Sequence, residues 1–219
     1  KSLNQEQKKY NLKLSGGDTT NSNKVSFTVT SIGFSNVIIE RNNARLNDDI
    51  YVTGNIGDSF LGLKIIKNKI KINSKLKNYF INKFYCPNLP YKIHKQIHKF
   101  ANTSMDISDG LISDMIKLIN NQKLSFEIDV NKIPISKNLE AYIKKYKKLK
   151  IDYLFSGDDY QVLFTAPKKN RLLIKSRISS TISLLFSRGI ALISNSKFAC
   201  LGTIFTAVPP LTSPVCNVV

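Results

Sequence analysis

The chain has 219 residues, enough for one large or two small domains with a real core, and its hydrophobic share of 42% is that of an ordinary globular protein. A net charge of +18 raises nucleic acid as a partner, but it is carried by 28 lysines and only 5 arginines, scattered along the sequence. Arginine is the residue that reads bases and phosphates bidentately, so solvated lysine faces are expected rather than a nucleic-acid interface, with a surplus that draws anionic substrates inward.

In chain order, residues 1–14 read as the end of a helix and a short strand, Asn11 to Leu14. Lys24 to Phe34 alternates apolar and polar positions (Val25, Phe27, Val29, Ile32) and predicts a half-buried strand. Arg41 to Asp49 is polar and turn-like, a natural domain junction. Ile50 to Gly54 reads as a strand, Ser59 to Ile66 and Asn73 to Tyr85 as helices, and Tyr91 to Ala101 as a basic helix. His94 and His98 on that helix are four apart, a spacing zinc accepts, but no glutamate stands between them, so a basic surface helix is preferred. Leu111 to Asn120 has a helical apolar side, Ser125 to Val130 alternates as a strand, Ser136 to Lys147 is helical, and Gln161 to Thr165 is a strand. A helix from Lys168 and a strand near Phe198 to Ile204 complete the ordered part, with a loose tail over 208–219. The apolar run Ile182 to Ile193 is too short to span a bilayer and contains Arg188, and no apolar segment follows Lys1, so a soluble, cytoplasmic protein without a membrane partner is expected. Three cysteines, Cys86, Cys200 and Cys216, share no metal-like spacing, which fits a reducing compartment.

Five of the fifteen acidic residues lie in three short loops beside glycine: Gly16-Gly17-Asp18-Thr19-Thr20, Asp106-Ile107-Ser108-Asp109-Gly110, and Gly157-Asp158-Asp159-Tyr160. Carboxylates on tight turns are the hard oxygen ligands that magnesium–phosphate chemistry needs. Asp106 and Asp109 stand three apart just ahead of a helix, where both can turn toward one cation, and exposed amides at the helix start can meet phosphate oxygens. Asp158 and Asp159 are adjacent and point different ways, so one faces the site while the other braces. Taken singly, each loop also reads as a helix cap or a solvated turn. The sequence contains no nucleophile elbow, P-loop or dinucleotide fingerprint.

In order along the chain stand Gly16-Gly17-Asp18-Thr19-Thr20, Arg41 before Asp49, Tyr51-Val52-Thr53-Gly54 with Gly57-Asp58, Asp106-Ile107-Ser108-Asp109-Gly110-Leu111, and Gly157-Asp158-Asp159-Tyr160. The series resembles the thiamine-monophosphate kinase family, within the aminoimidazole ribonucleotide synthetase-like superfamily of ATP-binding enzymes. The resemblance implies an α+β fold: residues 1–45 as the end of an N-terminal α+β ATP-binding and dimerisation domain, 46–207 as a C-terminal α/β-layered domain with a mixed sheet, and 208–219 as an irregular tail. It implies direct, magnesium-assisted transfer of the ATP γ-phosphoryl group to thiamine monophosphate, giving thiamine diphosphate, in a homodimer. By position, Asp18, Asp106 and Asp109 would bind magnesium. Asp18, Arg41 and Ser108 would contact ATP, and Asp158 the substrate. Asp158 stands where the family has Glu in Gly-Gly-Glu-Asp-Tyr, and Ser156 replaces the first glycine. The family's early Gly-Asp-Asp segment and final aromatic segment have no counterpart, so a fragment with weakened nucleotide binding and turnover is expected. Two alternatives remain open: another ATP-using member of the superfamily, separated by a substrate panel, and a basic nucleic-acid-binding module, separated by salt-dependent binding.

Overall fold

The computed structural model describes residues 2–120, 122–178, 182–184, 190–192, 199–201 and 204–207. The chain divides into two bodies, Lys1–Ile38 and Ile39–Val219. In the first, helix α1 (Ser2–Tyr10) is followed by a stretch without helix or strand. The strands expected at Asn11 to Leu14 and Lys24 to Phe34 do not form, and Val25, Phe27, Val29, Ile32 and Phe34 are exposed. Alternation specifies which side a strand would bury, but a strand also needs a neighbour to bond.

The second body begins at Ile39, so Arg41 and Ala44 belong to it. Its elements in chain order are β1 (Asp49–Thr53), α2 (Asp58–Ile66), α3 (Ser74–Tyr85), α4 (His94–Ile97), β2 (Thr103–Ile107), α5 (Leu111–Leu118), β3 (Leu124–Asp129), α6 (Lys137–Tyr146), β4 (Gln161–Ala166), α7 (Arg171–Ile178), β5 (Ile182–Leu184), β6 (Ile190–Leu192), β7 (Ala199–Leu201) and β8 (Ile204–Ala207). They build two four-stranded sheets, ordered β2-β4-β1-β5 and β6-β3-β8-β7. Every described strand pair is antiparallel, so the architecture is α+β and the mixed sheet expected from the sequence is replaced by two antiparallel ones. The basic helix expected over Tyr91 to Ala101 is a 3-10 turn, Tyr91–Ile93, running into the single turn α4. The strand near Phe198 is the pair β7 and β8, and the 208–219 tail lies outside the described residues.

Period-two alternation sorts the first sheet into two buried faces. Ile50, Val52, Ile107 and Leu163 face α5 (Leu111, Met115, Leu118) and β3 (Phe126, Ile128). On the other face Tyr51 stacks on its cross-strand partner Phe164, with ring centroids 5.1 Å apart, and both join Ile97, Phe100 and Ile174 from the region of α4 and α7. Fully burying each such aliphatic or aromatic side chain is worth roughly 2 kcal/mol. A third cluster joins α2, α3 and α6 through Leu61, Ile65, Phe80, Leu139 and Tyr142.

Helix limits follow from local chemistry. The Asn73 side chain accepts the Leu76 N–H at 3.0 Å and starts α3, and the Ser136 hydroxyl accepts the Leu139 N–H at 3.0 Å and starts α6. Lys147, left-handed at φ 49°, ends α6. At Asp49 a fully buried carboxylate receives two bonds from the Arg171 guanidinium, at 2.5 and 2.7 Å, which ties α7 to β1.

Candidate functional site

The site forms where β2 ends and β4 begins, at the contact between the loop after β2 and the loop before β4. The Asp158 N–H donates to the Ser108 carbonyl at 3.0 Å, and the Tyr160 N–H donates to the Ile107 carbonyl at 2.9 Å. A Cβ on Gly157 would sit 1.7 Å from the Ser108 carbonyl oxygen, and one on Gly110 would sit 2.7 Å from the Phe155 carbonyl carbon. These glycines are therefore set by close backbone approach. Asp158 and Tyr160 are held left-handed, at φ 67° and 49°, so the second and third loops pack as one unit.

Asp159 is the bracing member of its pair. It is buried, accepts the Gly57 N–H at 2.9 Å, and is also bonded by Ser59. Burial pushes its carboxyl up to about 7, against the lowering effect of those hydrogen bonds. Asp58 beside it is also raised by burial, while Ser136 and Tyr79 donate to it at 2.6 and 2.9 Å. Gln161 bonds the Thr53 hydroxyl and the Asn88 carbonyl, and its side chain fills the space over Gly54. The Tyr51-to-Asp58 motif thus supports the third loop from behind, leaving Asp158 half-buried at the front.

Asp114, one turn into α5, organises the second loop. Its fully buried carboxylate accepts the N–H groups of Ser108 and Asp109 at 2.9 Å and of Gly110 at 3.2 Å, all on Oδ2. These three loop amides just ahead of the helix are therefore already occupied. Lys117 donates to Asp114 Oδ1 at 2.9 Å and also contacts the Asp109 carboxylate. These bonds raise the Lys117 pKa above its ordinary value. The sequence reading missed Asp114 and Lys117; an acidic residue in the first turn of a helix was the available signal for the first.

Asp106 lies at an exposed position of β2, paired with Val162. With Arg41, Glu40, Asn42, Ile39, Ser104 and Met105 it lines an open pocket of about 640 Å³. A strap over 40–44 holds Arg41 there. The Thr103 hydroxyl donates to the Glu40 carbonyl at 2.6 Å, the Asn42 N–H donates to the Leu118 carbonyl at 2.8 Å, and Gln122 bonds both the N–H and the carbonyl of Ala44. Among the described residues neither Arg41 nor Asp106 has an ion-pair partner. Glu40 is a pocket carboxylate that the motif spacing did not single out.

The structure therefore brings Arg41 and Asp106 to one pocket, and Ser108, Asp109 and Asp158 to the adjoining pair of loops. Asp18 belongs to the first body, where its carboxylate accepts the Thr19 N–H at 2.7 Å. Among the described residues no group of three or more His, Cys, Asp or Glu side chains gathers as a metal cage. Magnesium does not require one, because it is usually held by one or two carboxylates together with waters and substrate phosphates. The exposed Asp106 carboxylate, in the pocket that Arg41 also lines, suits that donor set. Cys86 is exposed and free, and among the described residues no helix is long and apolar enough to cross a membrane.

The fold and the loops place this body in a recognisable class of α+β proteins. It shares its fold with hydrogenase maturation protein HypE, at a TM-score of 0.53 and 10% identity over 73% of this chain and 49% of that one. Sequence and structure then narrow the class. The thiamine-monophosphate kinase of Aquifex aeolicus is 37% identical over 161 residues, 73% of this chain and 53% of that protein. The enzyme of that name from Buchnera aphidicola subsp. Schizaphis graminum is 38% identical over 201 residues, covering 86% and 61%. The crystal structure of thiamine monophosphate kinase from Aquifex aeolicus superposes with a TM-score of 0.63 at 32% identity, over 73% of this chain and 52% of that one. AaThiL complexed with AMPPCP and TMP superposes at 0.61 with 34% identity, covering 71% and 48%. No family model matches. The chain belongs to the thiamine-monophosphate kinase family, and it spans about half to three fifths of the length of the relatives it matches.

Proposed function

We propose that this chain serves an ATP-dependent kinase that transfers the γ-phosphoryl group of ATP to the phosphate of thiamine monophosphate, giving thiamine diphosphate. The observation that carries the reading is the shared pocket of Arg41 and Asp106, next to the joined loops at 106–110 and 156–160. A relative of the same fold is complexed with AMPPCP and TMP, an ATP analogue with the proposed acceptor. Arg41, free to bond an anion bidentately, would take nucleotide phosphate oxygens. Ser108 would hold the nucleotide, and Asp158, fixed in its left-handed turn, would face the acceptor. Asp106 and Asp109 of the second loop, and Asp18 of the first body, would hold magnesium. When bound, magnesium would offset the repulsion between donor and acceptor phosphates. The protein's part is then positioning and electrostatic preorganisation. We further read the whole enzyme as a cytoplasmic homodimer that acts without nucleic acid or membrane.

The test has two arms. Isothermal titration with AMPPCP and magnesium should show binding that Arg41→Ala or Asp106→Asn weakens. Chromatography should detect thiamine diphosphate formed from ATP and thiamine monophosphate, with the Asp106→Asn rate lower by about a thousandfold. Wild-type affinity and rate in Asp106→Asn would remove the pocket from the mechanism.

A further inference from the structure

We propose that Lys117 is a positioning residue that acts as a built-in cation, holding the Asp109 carboxylate against α5 until a divalent cation displaces it. The inference rests on the reading that Asp109 is a cation ligand.

The two carboxylates that share Lys117 are unlike. Asp114 is fully buried and already accepts three backbone N–H groups, whereas the Asp109 side chain is 65% exposed. Lys117 reaches Asp114 across a single helical turn, at 2.9 Å, and reaches Asp109 from eight positions away, where only the folded-back loop brings the two together. The Asp114 contact is the anchor, because leaving a buried carboxylate short of partners is costly. The Asp109 contact is the exchangeable one, because an ion pair at an exposed carboxylate is weak and screened by water. An ammonium group and a divalent cation make the same demand on Asp109, namely its outward oxygens. They cannot both meet it fully. When Asp109 is released, Lys117 stays bonded to Asp114, so the loop keeps the shape set by the three amides. The device keeps the loop from carrying two uncompensated carboxylates while it waits for its cation, at the expense of some cation affinity.

The probe is Mn2+ alone, titrated into the 219-residue chain and followed by the electron paramagnetic resonance signal of the free ion. The variants are Lys117→Met, Lys117→Gln, Asp109→Asn and the double variant Lys117→Met/Asp109→Asn. Lys117→Gln can still donate to Asp114, so it gives a reading if Lys117→Met fails to fold by circular dichroism. Either Lys117 variant should tighten Mn2+ binding about fivefold, the worth of a partly exposed ion pair. That gain should vanish on the Asp109→Asn background. An equal gain on that background would reduce the effect to bulk charge and overturn the proposal. So would unchanged or weaker binding in both Lys117 variants while Asp109→Asn weakens it, an outcome that leaves Asp109 a ligand. Unchanged binding in Asp109→Asn itself would instead remove the underlying assignment of that residue, and the proposal with it.

Discussion

The loops at 15–20 and 106–110 are built from the same vocabulary, glycine beside aspartate beside a small hydroxyl residue, and they differ in nearly everything else. At 106–110 three amides converge on a buried carboxylate, the carbonyl of Ser108 accepts from the next loop, and Gly110 lies against the backbone of Phe155. At 15–20, among the described residues, the one side-chain bond is from the Thr19 N–H to its neighbour Asp18, and an added Cβ at Gly16 or Gly17 would meet nothing within 4 Å. A glycine–aspartate motif therefore does not reveal its own rigidity. Rigidity comes from what the rest of the chain places behind the motif, here Asp114 from α5 and the third loop from just ahead of β4.

The sharpest way to break this contrast is to add one methyl group to each side. Gly157→Ala would drive a Cβ to within 1.7 Å of the Ser108 carbonyl oxygen, and neither backbone can withdraw without giving up the bonds that join the loops. A loss on the order of 4 kcal/mol is expected in urea denaturation. Gly17→Ala should stay within about 0.5 kcal/mol of the parent. Equal effects at the two positions would mean that the packing of the second and third loops contributes little.

Asp114→Ala tests the brace itself. It leaves three N–H groups and one ammonium without their shared acceptor, at a cost of about 3 kcal/mol. The amides of Ser108, Asp109 and Gly110 should then exchange with solvent much faster, while those in the middle of β4 keep their protection relative to the new global stability. Unchanged exchange at the three amides would show that the loop holds its shape unaided.

How far these regions could be read from sequence follows the same division. Elements with local signals were legible. Asn73 and Ser136 cap the helices they precede, the left-handed Lys147 ends α6, and the strand expected over Gln161 to Thr165 forms and runs on to Ala166. Strand β2 escaped notice because its alternation runs over only five residues, with Met105 and Ile107 its two large apolar positions, and its partner β4 lies far along the chain. Lys24 to Phe34 carried the clearest alternation in the first body and forms no strand, because alternation is a property of one segment and pairing is a property of two. The pocket neighbours Arg41 and Asp106 were both named from their motifs, but their meeting depends on the 40–44 strap, whose tie to Gln122 spans 78 positions. Asp159 was legible as one half of a brace-and-site pair. What it braces, the Gly57 turn, was not, since the two are 102 positions apart.

Asp159 also supplies the mildest prediction, one of pH. Burial pushes its folded carboxyl up to about 7, whereas the unfolded chain ionises it at the ordinary value of 3.8. Below 3.8 both states are protonated, and the group's contribution to stability is fully present. Between 3.8 and about 7 the unfolded state gives up its proton while the folded state keeps it, so that contribution is lost as pH rises; above about 7 it changes no further. Asp159→Asn keeps an oxygen for the Gly57 N–H and has no charge to bury, so the variant should gain on the parent across this window. Urea midpoints at about pH 4.5 and about pH 8 give the check, with the larger advantage for the variant at the higher value. Some slope should remain from Asp58, whose pKa burial also raises and whose bonds from Ser136 and Tyr79 only partly oppose the shift. A gap that stays constant between the two pH values would mean that water reaches the Asp159 carboxylate, and that the third loop is braced no more firmly than the first.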